Sequence, residues 1–207
     1  MDRIQAKTVR YIKLGRKNAW AHGALKRGDI PFGNADDRHD LASAGRWDEL
    51  VAHYQKVKGS SLGKSRDFVR EVRDLYTLGR DCLWITFSDG KLWWAFSEPE
   101  IHWPAGDGVT SGDRFRSTIG GWSDKNIEGR FLRIVDLSTR LTKVAAYRQT
   151  ICEVKEREYL LRRLNGEIEP AVIHAHAVRS KLVDAAADLI ALLHQSDHAL
   201  HRQHHRR

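Results

Sequence analysis

The clearest structural signal in the chain is residues 83–96, with the sequence LWITFSDGKLWWAF. Two apolar runs, rich in aromatic and β-branched residues, flank an Asp-Gly pair. Asp-Gly favours the two-residue type I′ turn, because both central residues of that turn have positive φ. The segment therefore predicts a β-hairpin that turns at Asp89 and Gly90. This turn also sets the register, in which Trp84 lies opposite Ala95.

The two faces of this hairpin differ in character, because side chains alternate between the faces of a strand. One face is entirely apolar and predicts a core, formed by Leu83, Ile85, Phe87, Leu92, Trp94 and Phe96. The other face carries Trp84, Thr86, Trp93 and Ala95. Either a helix covers these two indoles, or they form a surface that stacks a flat ligand; aromatic residues more often serve packing.

Length and cysteine content indicate the class of protein. A chain of 207 residues can bury a sizeable core without a disulfide or a structural metal. Cys82 and Cys152 lie in apolar, strand-like runs, which is typical of buried thiols in a reducing compartment. We find no apolar signal segment at residues 1–11 and no apolar run long enough to cross a bilayer. We therefore expect a cytoplasmic protein with no membrane partner.

The charge balance points to an acidic partner. The formal net charge is +8, and eleven histidines could add to it. A basic excess of this size favours nucleic acid, and DNA in particular. Part of the excess belongs to the C-terminal sequence HRQHHRR, so charge alone does not establish such a partner.

Periodicity predicts an α+β domain over residues 1–168. Within it we expect a strand at 8–14, helices at 43–57 and 66–76 with Ser65 as N-cap of the second, and a turn at 120–124.

The composition changes after Pro170. Residues 169–207 form a second segment, in which an Ala-rich amphipathic helix over 171–200 precedes the basic tail. This long helix either packs along the domain or pairs with a second copy, which would make a homodimer.

Aromatic and cationic residues are interleaved in the middle of the chain. Five of the seven tryptophans lie between residues 84 and 122. Aromatic faces beside cations suit a stacked or flipped-out base that is held by its phosphates. The candidates for base contact are Trp84, Trp93, Trp122 and Trp20. The candidates for contact with the nucleic-acid backbone are Arg66, Arg70, Arg114, Arg116 and Lys125. Structural tryptophans beside ordinary surface arginines are the alternative.

A metal-dependent nuclease is a second possibility. Glu153-Val-Lys155 resembles the E-x-K half of the PD-(D/E)xK site, and Asp136 is an upstream carboxylate. In such a site the two carboxylates would hold Mg²⁺, and the lysine would position a water or stabilise the phosphate. E-x-K is common by chance, so we name no catalytic residue outside this alternative and no other cofactor.

Histidines of the last helix could chelate zinc. His194, His198 and His201 follow a spacing of i, i+4, i+7. No cysteine or carboxylate follows at a recognisable spacing to complete a zinc site. We therefore interpret these histidines as a polar helix face and predict no metal site.

Several motifs resemble a known superfamily. Residues 81–96 look like the central strands of PUA-like barrels, which include the EVE, YTH, ASCH and SRA domains. Other motifs are similar to ones in uncharacterised prokaryotic proteins of phage defence and modification-dependent restriction, namely Tyr11–Gly15, Trp20, Gly120–Trp122, Tyr147–Cys152 and Tyr159–Arg163. The resemblance spans roughly residues 8–168.

The resemblance implies a mixed β-barrel with flanking helices and a nucleic-acid ligand, commonly a modified base. The sequence therefore predicts a protein that recognises a base, modified or not, in an aromatic pocket. The metal-dependent nuclease and a non-catalytic dimeric adaptor are the alternatives.

Overall fold

The computed structural model describes residues 3–33, 38–103 and 114–167, together with 181–183, 185, 186 and 189. The chain divides into two units, Met1–Gly166 and Glu167–Arg207. The helix predicted over 171–200 lies largely outside the described residues, and the six residues described within it are helical. The apolar seam and the homodimer stay predictions.

The first unit alternates strands and helices along the chain. Its strands are β1 (Thr8–Ile12), β2 (Asp29–Phe32), β3 (Cys82–Ser88), β4 (Lys91–Ser97), β5 (Arg114–Ser123) and β6 (Ile151–Glu153). Its α-helices are α1 (Ala21–Arg27), α2 (His39–Ser43), α3 (Trp47–Lys58), α4 (Leu62–Thr77), α5 (Thr139–Thr142) and α6 (Arg157–Leu164). Short 3-10 turns lie at Arg16–Asn18, Ile134–Asp136 and Lys143–Ala146.

The six strands form one mixed sheet in the order β2-β5-β4-β3-β1-β6, curled into a half-barrel. Neighbouring strands are antiparallel except β1 and β3, which are parallel. Parallel neighbours need a long crossover, and here it contains β2 and helices α1 to α4. The mixed α and β architecture is thereby confirmed.

The central hairpin has the predicted register. Ser88 pairs with Lys91, and Trp84 pairs with Ala95. Both turn residues have positive φ, 51° at Asp89 and 72° at Gly90, as a type I′ turn requires.

Both faces of the hairpin are covered. The apolar face packs against residues from the later part of the unit, including Leu132, Leu141 and Leu160. On the opposite face, Trp84 is fully buried in a core that includes Val72 and Leu75 of α4. Of the two interpretations of the indole face, the structure confirms for Trp84 the one in which helices cover it.

Several boundaries differ from the prediction. Ser61, not Ser65, caps α4, because the Ser61 hydroxyl accepts a hydrogen bond from the backbone N–H of Lys64. Ser65 lies buried inside the helix and exchanges a 2.8 Å hydrogen bond with the Ser60 hydroxyl. The helix expected over 43–57 is interrupted at Gly45, where φ is 68°.

The turn expected at Gly120 and Gly121 is instead part of β5. Ser123 pairs with Trp94 and Ile119 with Phe96, so β5 advances four residues where β4 advances two. The two glycines have φ of 75° and 83°, and positive φ allows them to form a bulge rather than reverse the chain.

Within the described part of the chain, every helix is too short or too polar to cross a bilayer.

Candidate functional site

Trp84 belongs to the core of the protein. The side chain is fully buried, and the guanidinium carbon of Arg116 lies 5.8 Å from the centre of its ring. A base could reach this ring only if the covering helices moved. We therefore leave Trp84 out of the site proposed below.

The other three candidate tryptophans are half-buried and lie in different places. Trp20 and Trp122 pack against the same core as Trp84, and the Trp122 indole N–H donates a 2.9 Å hydrogen bond to the Asp29 carbonyl. Trp93 donates a 3.3 Å hydrogen bond to the Ser88 carbonyl. None of them lines the two cavities described below.

Arg116 connects β5 to the end of α4. The side chain is fully buried and donates hydrogen bonds to the carbonyl oxygens of Leu75 at 3.0 Å, Leu78 at 2.8 Å and Glu98 at 2.5 Å. Because the side chain is buried and its Nε and Nη1 atoms donate within the protein, Arg116 offers no surface to a phosphate in this structure.

Arg114 is buried beside aromatic rings. Its guanidinium carbon lies 5.4 to 5.5 Å from the ring centres of Phe32, Tyr76 and Trp103, and it donates a 3.0 Å hydrogen bond to the Tyr76 hydroxyl. Desolvation by burial lowers the pKa of Arg114 to about 9. Like Arg116, it is a structural cation and not a surface one.

The three remaining backbone candidates are accessible. Arg66 and Lys125 are exposed. The Lys125 ammonium lies 4.8 Å from the ring centre of Phe131. Arg70 is half-buried and belongs to the network described below.

The nuclease alternative distributes its residues over two places. Glu153 and Lys155 line one cavity together, but Asp136 does not line it and instead forms a 2.7 Å ion pair with Arg133. Among the described residues, no group of three or more His, Cys, Asp or Glu side chains is arranged to hold a metal ion.

A cavity of about 530 Å³ is lined by residues of β2, of the helices and of the segment that precedes β6. We call it the edge cavity. Its lining residues come from β2, α3, α4 and the segment before β6: Phe32, Tyr54, Lys58, Lys64, Phe68, Glu71, Val72, Arg148, Gln149 and Thr150. Strands β2 and β6 are at opposite ends of the strand order. Only the curl of the sheet can bring their neighbourhoods to one cavity.

Two aromatic residues from neighbouring helices contribute to its wall: the half-buried Phe68, and Tyr54, which is 1 % exposed and belongs to the same core as Trp84. The ring centres of Tyr54 on α3 and Phe68 on α4 lie 6.0 Å apart, tilted by 60°. The Lys58 ammonium lies 5.2 Å from each ring centre, and the Lys64 ammonium lies 5.9 Å from that of Phe68. The cavity therefore combines aromatic surface with positive charge.

Glu71 contributes a buried carboxyl group to the same cavity. Its side chain accepts a 3.1 Å hydrogen bond from the Thr150 N–H, and its other oxygen lies 3.5 Å from the Arg70 guanidinium as an ion pair without hydrogen-bond geometry. Desolvation raises the pKa of Glu71 to about 7, although backbone hydrogen bonds from Thr150 and Ile151 and the charge of Arg70 oppose the rise. This carboxyl therefore titrates near neutral pH.

A second cavity, of about 650 Å³, lies on the other side of the segment 147–152. We call it the second cavity. Its lining is Arg70, Arg140, Lys143, Val144, Ala146, Tyr147, Cys152, Glu153, Lys155 and Glu156. Burial raises the pKa of the Cys152 thiol to about 11, so this thiol is protonated at neutral pH and is a poor nucleophile.

This chain matches no protein-family model, no curated protein and no solved structure. Its site is therefore interpreted from its own geometry.

The residues that make the edge cavity distinctive were not among the sequence-based candidates. Tyr54 and Phe68 belong to the apolar stripes of two amphipathic helices, which is the pattern of ordinary core residues. Glu71 gives a clearer signal. It lies three residues after Phe68 and four before Leu75, so a carboxyl occupies the inward face of α4.

Proposed function

We propose that this chain binds nucleic acid and accommodates an unpaired or flipped-out base in the edge cavity. The observation that carries the proposal is the combination in one cavity of the half-buried Phe68 ring with cations at its border. Tyr54 is 1 % exposed and packs against that ring from the core. Lys64 and Arg148 are both exposed, and neither makes an ion pair within the described residues. These charges are therefore available to phosphates.

The size and chemistry of the edge cavity suit a base. Small-molecule sites have volumes of roughly 300–1,000 Å³ and combine apolar walls with a few polar groups, and this cavity has about 530 Å³. A flipped base is held by stacking and read by hydrogen bonds along its edge. Gln149 can both donate and accept such bonds, and Glu71 lies buried beside it.

The resemblance to PUA-like domains supports a modified base as the ligand and phage defence as the setting. Many unrelated functions occur on one fold, so the proposal rests on the cavity and not on the architecture.

The test is a panel of labelled oligonucleotides, single-stranded and duplex, DNA and RNA, that differ only in the modification of one central base. We expect the full chain to bind at low salt and the Phe68→Ala variant to bind about 5- to 150-fold more weakly. That range corresponds to the roughly 1–3 kcal/mol that stacking of one base on an aromatic side chain contributes. Fluorescence anisotropy at fixed salt measures the dissociation constants.

Phe131→Ala is the matched control. Phe131 is 51 % exposed and lines neither cavity, so its removal should leave affinity for the base unchanged. Circular dichroism and urea unfolding verify that both variants are folded. A folded Phe68→Ala protein that binds every oligonucleotide as tightly as the wild type would exclude the edge cavity as the base site.

A further inference from the structure

The edge cavity and the second cavity share one wall, the segment 147–152. Arg148, Gln149 and Thr150 line the edge cavity, and Tyr147 and Cys152 line the second cavity. The Tyr147 hydroxyl donates a 2.9 Å hydrogen bond to the Gln149 side chain. A group bound in one cavity would therefore be separated from the other cavity by this one segment.

Helix α4 fixes this wall with two consecutive residues. Arg70 donates hydrogen bonds to the Tyr147 hydroxyl at 3.0 Å and to the Ile151 carbonyl at 3.1 Å, and Glu71 accepts from Thr150 at 3.1 Å. Arg70 lines the second cavity and Glu71 lines the edge cavity. The two cavities thus share α4 and the segment 147–152.

Exposed arginines of this chain are of two kinds. Some make ion pairs with carboxylates, as in Arg38–Asp40 and Arg46–Glu49. Others, such as Arg66 and Arg73, make no ion pair within the described residues. The second cavity has cations of the second kind. Within the described residues, no ion pair is made by its three exposed cations, Arg140, Lys143 and Lys155.

The second cavity also contains carboxylates, Glu153 and Glu156, so its own cationic excess is modest. Taken together, however, the two cavities are lined by seven cationic side chains and three carboxyl groups. Apolar surface from Val144 and Ala146 lies beside the cations of the second cavity. Cations next to apolar surface suit a phosphodiester joined to a sugar.

We propose that the second cavity binds the sugar-phosphate backbone of the strand whose base enters the edge cavity. Arg140, Lys143 and Lys155 contact the phosphates, and the shared wall sets the distance between base and backbone. This inference rests on the proposed function. It assigns contact with the sugar-phosphate backbone, which does not depend on the base sequence, to the second cavity.

The experiment compares two single-stranded oligonucleotides, identical except that one has an abasic site in place of the central base. Each is titrated with the full chain over a range of salt concentrations. The double variant Arg140→Gln/Lys143→Gln should weaken binding of both probes by the same factor, because both retain the backbone. It should also reduce the slope of log K against log salt by about 1.4, which is the loss expected for two phosphate contacts on a single strand.

The matched control is Lys26→Gln/Lys56→Gln, which removes the same charge from exposed lysines that line neither cavity. An unchanged slope for the Arg140/Lys143 variant overturns the backbone site, as does an equal loss in the control. Phe68→Ala separates the two proposals, because it should weaken only the intact probe. If Phe68→Ala binds both probes like the wild type while the double variant weakens both, the base cavity is wrong and the backbone site stands. Absence of binding by the wild type overturns both.

Discussion

The indole face of the hairpin and the edge cavity both contain aromatic residues, but these residues have different roles. Trp84 is fully buried, and Trp93 uses its indole N–H to bind the Ser88 carbonyl. In the edge cavity, the half-buried Phe68 borders a volume of about 530 Å³ beside the exposed Lys64. Aromatic density along a sequence thus marks a core. We infer that a site is marked instead by an accessible aromatic ring that borders a cavity next to an exposed cation.

The largest expected effect is a loss of stability on substitution of Trp84 in the indole face. Trp84→Ala should lower the free energy of unfolding by about 3–5 kcal/mol, the usual cost of removing a buried tryptophan side chain. Phe68 is only half-buried, so Phe68→Ala should cost less stability and more affinity. Urea unfolding of both variants measures the difference.

If Trp84→Ala is too unstable to purify, Trp84→Phe retains most of the ring and can be measured instead. A Trp84 variant that keeps wild-type stability but loses affinity for nucleic acid would reverse the comparison and make the hairpin face the site.

The second effect is a pH dependence of stability that arises from the buried carboxyl group of Glu71 in the edge cavity. The pKa of Glu71 is raised from 4.5 to about 7, so between these pH values the folded chain holds a proton that the unfolded chain has lost. The free energy of unfolding of the wild type should therefore fall as pH rises through this window, by about 3 kcal/mol at most. Glu71→Gln has no such proton to lose. Its stability relative to the wild type should increase with pH.

Urea unfolding at pH 5 and pH 8 measures this change, and comparison of the pH dependence cancels the constant effect of replacing the carboxyl. The four residues of the indole face include no titratable side chain, so the penalty of Trp84→Ala should be the same at both pH values. Equal stability differences for Glu71→Gln at both pH values would show that the carboxyl is already ionised at pH 5.

The smallest effect concerns Trp93. Trp93→Phe removes the hydrogen bond to the Ser88 carbonyl and should cost about 1 kcal/mol of stability without changing nucleic-acid affinity. Loss of affinity with stability intact would extend the site to the hairpin. Anisotropy and urea unfolding on one preparation distinguish the two results.

The sequence predicts local structure correctly where a single turn determines how two strands pair. The Asp89-Gly90 pair predicts the turn and, through it, the register of β3 with β4. The order of the strands in the sheet could not be predicted, because the parallel pairing of β1 with β3 joins residues about 74 positions apart. Gly120 and Gly121 show the same limit. Positive φ serves a turn and a bulge equally well, and only the pairing with β4 distinguishes them.

The site was harder to predict than the fold. Five tryptophans close in sequence suggest a pocket, but the pleat sends Trp84 into the core. The edge cavity joins Phe32 to Thr150, and only the curl of the whole sheet places them together. The sequence makes Arg70 a candidate for contact with the nucleic-acid backbone but does not predict its partners. Its bonds to Tyr147 and Ile151 depend on how α4 crosses β6.

The incomplete closure of the sheet affects how the protein behaves among copies of itself. Within the described residues, β2 and β6 each have one strand neighbour, so each presents an outer edge on which another strand could add. Both edges are poor templates. Pro31 has no N–H to donate within the four residues of β2, and β6 has only three residues. The half-barrel can therefore remain open without presenting an edge on which a strand from another copy of the chain would readily add.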